Sequence, residues 1–109
     1  MRNKLYMVIP CYNEQEALGL FYEELNRVTA EMRDCEFEIL FVNDGSKDRT
    51  LELMKELAEK DGRVKYISFS RNFGKEAAIY AGLEHASGDL VAIMDADLQD
   101  PPRLLPEMY

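Results

Sequence analysis

The sequence predicts an α/β fold with a mainly parallel sheet of about four strands. Two observations predict it. Short β-rich apolar runs alternate with longer stretches of helical period, the rhythm of repeated strand-helix-strand units. Each run is also too continuously apolar to leave one sheet face in water, as for strands covered on both sides.

The first strand reads Leu5-Tyr6-Met7-Val8-Ile9, and Pro10 is expected to end it. From Glu14 to Arg33, the residues Leu18, Phe21, Leu25, Val28 and Met32 fall at steps of three and four, a stripe that one helical face can bury. Asn13, with Glu16 three residues on, suits a capping box at that helix's start. Phe37 to Val42 is the second strand, and Asn43-Asp44-Gly45-Ser46 suits a tight turn after it. A second helix is expected over Asp48 to Lys60, with Leu51, Met54 and Ala58 inward and Gly62 as its terminator. Val64 to Phe69 is the third strand; a third helix follows Ser70-Arg71-Asn72-Phe73-Gly74-Lys75 and runs to about Ala86. Asp89 to Met94 is the fourth strand, and Asp100 before Pro101-Pro102 opens a further helix.

The 109 residues are 47% hydrophobic and 31% charged, and 13 Lys and Arg against 21 Asp and Glu leave a net charge of −8. That is one domain's length, too apolar for a disordered tail and too acidic for non-specific nucleic-acid binding. No apolar run approaches the ~20 residues of a membrane span, so a soluble, cytoplasmic chain is expected. Cys11 and Cys35 lie in no metal-binding spacing and read as reduced packing residues, and His85 reads as a surface or packing residue of the third helix.

Ligands of open parallel sheets bind beyond the carboxyl ends of the strands. Every unusual polar cluster in this chain follows a strand, so four loops should converge on one rim. Asp95-Ala96-Asp97, with Gln99 and Asp100 behind it, can hold a hard divalent cation and leave positions for phosphate oxygens; the same residues are also ordinary turn and cap formers. Asp44 can accept hydrogen bonds from a nucleobase or ribose, or simply close an Asx turn. Arg71 and Lys75 make a local positive patch at the start of the third helix, where backbone N–H groups also attract anions; a solvated basic pair is the plainer account. Tyr12 can stack on a base or pad the core. The chain has no G-x-G-x-x-G, no G-x-x-x-x-G-K-[ST] and no G-x-S-x-G, so dinucleotide, P-loop and serine-hydrolase chemistry lose their usual cradles. A nucleotide and metal site built from carboxylates remains.

Taken together, V-I-P-C-Y-N-E, V-N-D-G-S-K-D-R-T, S-R-N-F-G-K-E-A-A and D-A-D-L-Q-D-P-P resemble the family 2 inverting glycosyltransferases, most closely their polyprenyl-phosphate branch. The resemblance implies a three-layer α/β/α, Rossmann-like GT-A fold. It implies nucleotide contacts from Pro10, Tyr12 and Glu14 in the first loop, from Asp44 and Ser46 at the base and ribose, and from Arg71 and Lys75 near the diphosphate. Asp95, Asp97 and Gln99 would serve Mg2+ or Mn2+, with Asp97 and Gln99 as direct ligands and Asp95 on the ribose or a metal-bound water. A UDP-sugar, UDP-glucose favoured, or GDP-mannose would be the donor, and a polyprenyl phosphate at the cytoplasmic membrane face the acceptor. Catalytic domains of this family are about twice as long, so residues 1–109 are expected to be the N-terminal, donor-binding portion of one. It would be inactive alone, open to homodimerisation and without a general base of its own. Transfer to a sugar hydroxyl and a non-catalytic nucleotide-binding module are the alternatives.

Overall fold

The computed structural model describes residues 3–32, 35–85 and 90–94. Its elements run β1 (Asn3–Cys11), α1 (Gln15–Glu31), β2 (Cys35–Asn43), α2 (Thr50–Lys60), β3 (Val64–Ser68), α3 (Lys75–His85) and β4 (Leu90–Ile93). All described strand pairs are parallel, in the order β3-β2-β1-β4. The chain thus steps from β1 outward to β3, then crosses back to place β4 on the far side of β1. Right-handed crossovers in opposite directions put their helices on opposite faces. Accordingly α1 and α2 cover one face and α3 the other, giving the three layers expected.

Alternation along the strands sorts the core. Leu5, Met7, Ile9 and Cys11 of β1 join Phe37, Ile39 and Phe41 of β2, Leu18, Phe21, Leu25 and Val28 of α1 and Met54 of α2 in the larger cluster. Tyr6 and Val8 turn the other way and meet Leu40, Val42 and Ala78 of α3. The helical stripe is therefore the buried face of α1, with Met32 at its partly buried end. On α2 the inward set is Met54 with Leu53, Leu57 and Ala58, rather than Leu51. Cys11 is buried within that cluster, in keeping with a packing role.

Three local expectations give way to tertiary structure. Pro10 lies inside β1, paired with Val42 and followed by Cys11 opposite Asn43. The Val8 carbonyl accepts from Met94 N–H on the β4 side, and Pro10, two residues on, faces that same side beyond the last β4 ladder pair, Val8 with Ile93. Its missing N–H therefore interrupts no ladder bond among the described residues. Asn13 does not cap α1, whose N-cap is Glu14, with no side-chain cap bond. Gly62 does not end α2 in the left-handed conformation; Asp61 turns extended (φ −134°) as its N–H bonds the Leu57 carbonyl at 2.9 Å. The helix predicted from Asp100 and the expected end of the third helix near Ala86 lie outside the described residues.

Below the sheet, Arg63 and Asp61 join α1 to the α2–β3 turn. Arg63 Nη2 donates to Asp61 Oδ2 and to Asn26 Oδ1, both at 2.7 Å, and the Tyr22 hydroxyl donates to Asp61 Oδ2 at 2.8 Å. The Arg63 hydrogen bonds hold the Asp61 carboxyl down to about 2 from its ordinary 3.8, against the upward push of burial. A depressed carboxyl stabilises the fold above its unfolded value and loses that contribution as pH falls through the folded value. Asp61→Asn should therefore cost roughly 2 kcal/mol at neutral pH, and the cost should shrink between about pH 4 and pH 2, as read by urea denaturation across pH.

On the opposite face α3 approaches β1 through small residues, Ala78 and Gly82. A Cβ built on Gly82 would stand 2.3 Å from Val8 Cγ1. Val8 is fully buried and stiff at χ1, so it cannot swing away. Gly82→Ala should lower stability by about 1 to 3 kcal/mol in urea melts, despite a gain of about 1 kcal/mol in helix propensity. Adding Val8→Ala should remove much of the clash, giving a non-additive cycle.

Candidate functional site

The carboxyl ends of β1, β2 and β3 deliver three loops to one rim, and side chains from each loop bond the backbone of the next. Asn13 adopts φ 53°, which turns it away from α1 and toward the loop after β2. Its N–H donates to Ser46 Oγ at 2.9 Å while its Oδ1 accepts from Lys47 N–H at 2.8 Å, a reciprocal pair. Glu14 N–H donates to Thr50 Oγ1 at 2.8 Å, Gln15 N–H to Asp48 Oδ2 at 3.2 Å, and Gln15 Oε1 accepts from Arg49 N–H at 2.9 Å. Asp48 thus serves two helix starts, since its Oδ1 also accepts from Thr50 N–H at 2.9 Å. Burial pushes its carboxyl up, but the hydrogen bonds from Thr50 and Gln15 outweigh that and leave it below 3.8.

The second and third loops meet around one buried carboxylate. Asn43 closes the start of the loop after β2, its Oδ1 accepting from Ser46 N–H at 3.0 Å, and donates through Nδ2 to Ser68 Oγ at 3.0 Å. Asp44, only 3% exposed, then turns its side chain into the loop between β3 and α3. Oδ1 accepts from Phe73 N–H at 2.8 Å, and Oδ2 from Gly74 N–H at 3.0 Å and Asn72 Nδ2 at 3.1 Å. Asn72 Nδ2 also reaches the Asp44 carbonyl, at 3.1 Å. These hydrogen bonds replace the water that burial takes from the carboxylate. Gly45 follows at φ 71°, and a Cβ there would lie 2.2 Å from the Arg71 carbonyl carbon and 2.3 Å from Asn72 N. The two backbones touch, and only glycine lets them.

Around this junction the Arg71 guanidinium carbon stands 4.8 Å from the centre of the Phe73 ring, and Phe73 meets Phe69 edge-on with centroids 5.5 Å apart. Lys75 is the exposed first residue of α3. Of the other predicted residues, Pro10 is buried in β1, Tyr12 is 42% exposed at the rim, and Glu14 and Ser46 are half-buried. Asp95, Asp97 and Gln99 lie outside the described residues, which end with Met94 N–H donating to the Val8 carbonyl at 3.1 Å. Among the described residues no group of three His, Cys, Asp or Glu could hold a metal ion. An open hollow of about 340 Å3 beside Asp48 is bounded by Asn13, Glu14, Gln15, Glu16 and Ala17. Sequence reasoning passed over Asn13, Asp48, Thr50 and Asn72 as joining residues; their signal is the density of Asn, Asp and Thr after each strand.

An open parallel sheet with helices on both faces, and with polar loops joined at its carboxyl edge, defines the doubly wound class of α/β domains. The β1/β4 switch point of such a sheet is where that class takes ligands. Residues 6–109 match glycosyl transferase family 2, and the chain belongs to that family. It is 49% identical over 105 residues to the bactoprenol glucosyl transferase of Shigella phage SfV, covering 96% of this chain and 34% of that protein. A prophage bactoprenol glucosyl transferase homolog of Escherichia coli K12 is 47% identical with the same coverage. The putative glycosyltransferase CsbB of Bacillus subtilis is 54% identical over 101 residues, 93% of this chain and 30% of that one. The chain thus spans about a third of the length of these relatives. Among solved structures, the mannosyltransferase PcManGT of Pyrobaculum calidifontis, in complex with GDP-Man and Mn2+, superposes with a TM-score of 0.76 at 24% identity, over 89% of this chain and 28% of that one. Staphylococcus aureus TarS 1–349 in complex with UDP gives 0.72 at 25%, over 86% and 27%. The fold is that of the GT-A glycosyltransferases, as the resemblance implied.

Because both a positive φ and backbone proximity fix Gly45, Gly45→Ala should displace the 71–74 loop. We expect a loss of at least about 2 kcal/mol in urea denaturation, with amide shifts centred on Asn72 to Gly74, whereas Gly19→Ala, with open space around its Cβ, should stay within about 1 kcal/mol of the parent.

Proposed function

We propose that this chain is the donor-binding portion of an inverting glycosyltransferase that moves a sugar, glucose by preference, from its nucleoside diphosphate to a polyprenyl phosphate. The observation that carries the proposal is the 49% identity over 105 residues to a bactoprenol glucosyl transferase. The joined rim supports it physically. Three strand ends present loops locked to one another, a preorganised surface rather than a set of mobile segments.

In this reading Tyr12, exposed at the rim, stacks on the base. Pro10, Glu14 and Ser46 shape the surface beneath the nucleotide, and Arg71 and Lys75 meet the diphosphate. Asp95, Asp97 and Gln99, which follow β4 in sequence, would hold Mg2+ or Mn2+, and PcManGT, a protein of the same fold, was solved with Mn2+. When bound, that cation stabilises the negative charge that develops on the leaving diphosphate. A phosphate acceptor is already an anionic nucleophile, so it attacks the anomeric carbon with little need for a general base. Direct displacement inverts that carbon. Among the described residues no helix is long and apolar enough to cross a membrane, and the lipid phosphate would be met at the cytoplasmic face by the longer protein.

Calorimetric titration with UDP, UDP-glucose, GDP and GDP-mannose, with Mn2+ or with EDTA, tests the proposal. UDP and UDP-glucose should bind best, about tenfold or more tightly with Mn2+, and Asp97→Ala should abolish the Mn2+ increment while leaving the fold intact. Absence of binding by any of the four nucleotides would sink it.

A further inference from the structure

We propose that Phe73 is a positioning residue: its ring seats the Arg71 guanidinium at the rim, with charge and N–H groups left for the diphosphate of the donor. The inference rests on the donor-binding reading above and gives a task to a side chain which that reading leaves unused.

The way Arg71 is held sets it apart from the other described arginines. Arg27 pairs with Glu24, Arg49 with Glu52 at 3.0 Å and Arg63 with Asp61 at 2.7 Å. In a chain with 21 Asp and Glu, Arg71 pairs with no carboxylate among the described residues, and its guanidinium carbon stands 4.8 Å from the centre of the Phe73 ring. A carboxylate would neutralise the guanidinium and occupy its N–H fork. A ring holds the cation through its quadrupole and leaves that fork able to meet an oxyanion through two parallel bonds.

The seat is itself anchored. Phe73 N–H donates to Asp44 Oδ1 at 2.8 Å, and the ring meets Phe69 edge-on, with planes at 86° and centroids 5.5 Å apart. Phe69 in turn packs against the cluster of Tyr6, Val8 and Leu40, and its N–H donates to the Asn43 carbonyl at 2.9 Å. The Arg71 backbone is placed as well, since a Cβ on Gly45 would lie 2.2 Å from its carbonyl carbon. Sheet, Phe69, Phe73 and guanidinium thus form one stack, and Phe73 remains 52% exposed, so the stack ends in water rather than in the core. A long side chain ordered before a ligand arrives loses less freedom on binding than one that wanders in solvent.

A ring that works through Arg71 differs measurably from one that touches the nucleotide itself, and a double-mutant cycle separates the two. In the ligand-free chain the Arg71 side-chain protons should resonate upfield of those of Arg49 through ring shielding; the displacement should vanish in Phe73→Leu and persist in Phe73→Tyr. By calorimetry, Arg71→Ala should weaken UDP about tenfold and Phe73→Leu about two- to fivefold, while Phe73→Tyr, which keeps the ring, should match the parent. Phe73→Leu added to Arg71→Ala should cost nothing more. Uridine, followed by NMR shift perturbation, should bind every variant as it binds the parent. Unshielded Arg71 protons in the parent, parental UDP affinity in Arg71→Ala or Phe73→Leu, a loss in Phe73→Tyr as large as in Phe73→Leu, additive losses in the double variant, or equal losses for uridine would each overturn the seat. With a parent chain that binds UDP, those results refute the seat alone; a parent chain that binds no nucleotide refutes the donor-binding reading and, with it, the task given to Phe73.

Discussion

A single carboxylate, buried where β2 ends, sets the arrangement of the whole rim. Burying Asp44 would be prohibitive in an apolar environment, and its stability comes from three N–H donors of a loop that follows a different strand. The debt runs both ways. Without the carboxylate, Phe73 and Gly74 would have to find other partners for their N–H groups, and the first turn of α3 would lose its anion. The neighbouring loops depend on the same logic, because the Asn13 and Ser46 pair and the Asp48 carboxylate satisfy N–H groups across the β1 and β2 ends. Local capping is replaced by capping from a neighbour, which converts three independent loops into one surface.

That substitution explains which parts of the structure were legible in sequence. Period alone reveals α1, because Leu18, Phe21, Leu25 and Val28 can share a face only in a helix. Continuous apolar runs reveal buried parallel strands, and once the sheet is parallel all the strand-end loops must gather at one edge. Partners 28 to 36 residues away leave no such trace. Asn13 looks like an N-cap, since Asn before a helix commonly caps, yet its left-handed backbone spends the amide on Lys47. Pro10 looks like a strand breaker, and is harmless because it faces the β4 side beyond the last ladder pair among the described residues, Val8 with Ile93. Gly62 looks like a stop, yet Asp61, engaged with Arg63, turns the chain first. In the candidate site, residue types were readable and bonding partners were not.

The two faces of the sheet are built by different means. Beneath α1 and α2, large side chains interdigitate, with Phe21, Phe41, Met7 and Met54 fully buried. Over the other face α3 lies close through Ala78 and Gly82, so proximity of the helix backbone replaces side-chain volume. A close helix is also a precisely placed helix. Because α3 begins at the loop whose N–H groups bond Asp44, its tight seat on Val8 fixes the far end of the same unit that Asp44 fixes at the near end. Packing and hydrogen bonding thus hold one element at both termini, and the cations at its start inherit that constraint.

Net charge alone misdescribes how this chain would meet an anionic diphosphate. The −8 counts every carboxylate equally, yet Asp44 spends its charge on buried amides, Asp48 on two helix starts and Asp61 on Arg63. Arg71 is held differently. A ring face orders a guanidinium through its quadrupole and leaves the full positive charge in place, whereas a carboxylate partner would cancel it. At physiological ionic strength a ligand feels exposed charges over about 8 Å. Within that radius the sign of the third loop is set by which acids are turned inward against N–H groups and which bases are turned outward against aromatic carbon, so an acidic chain can present a cationic edge where its loops meet.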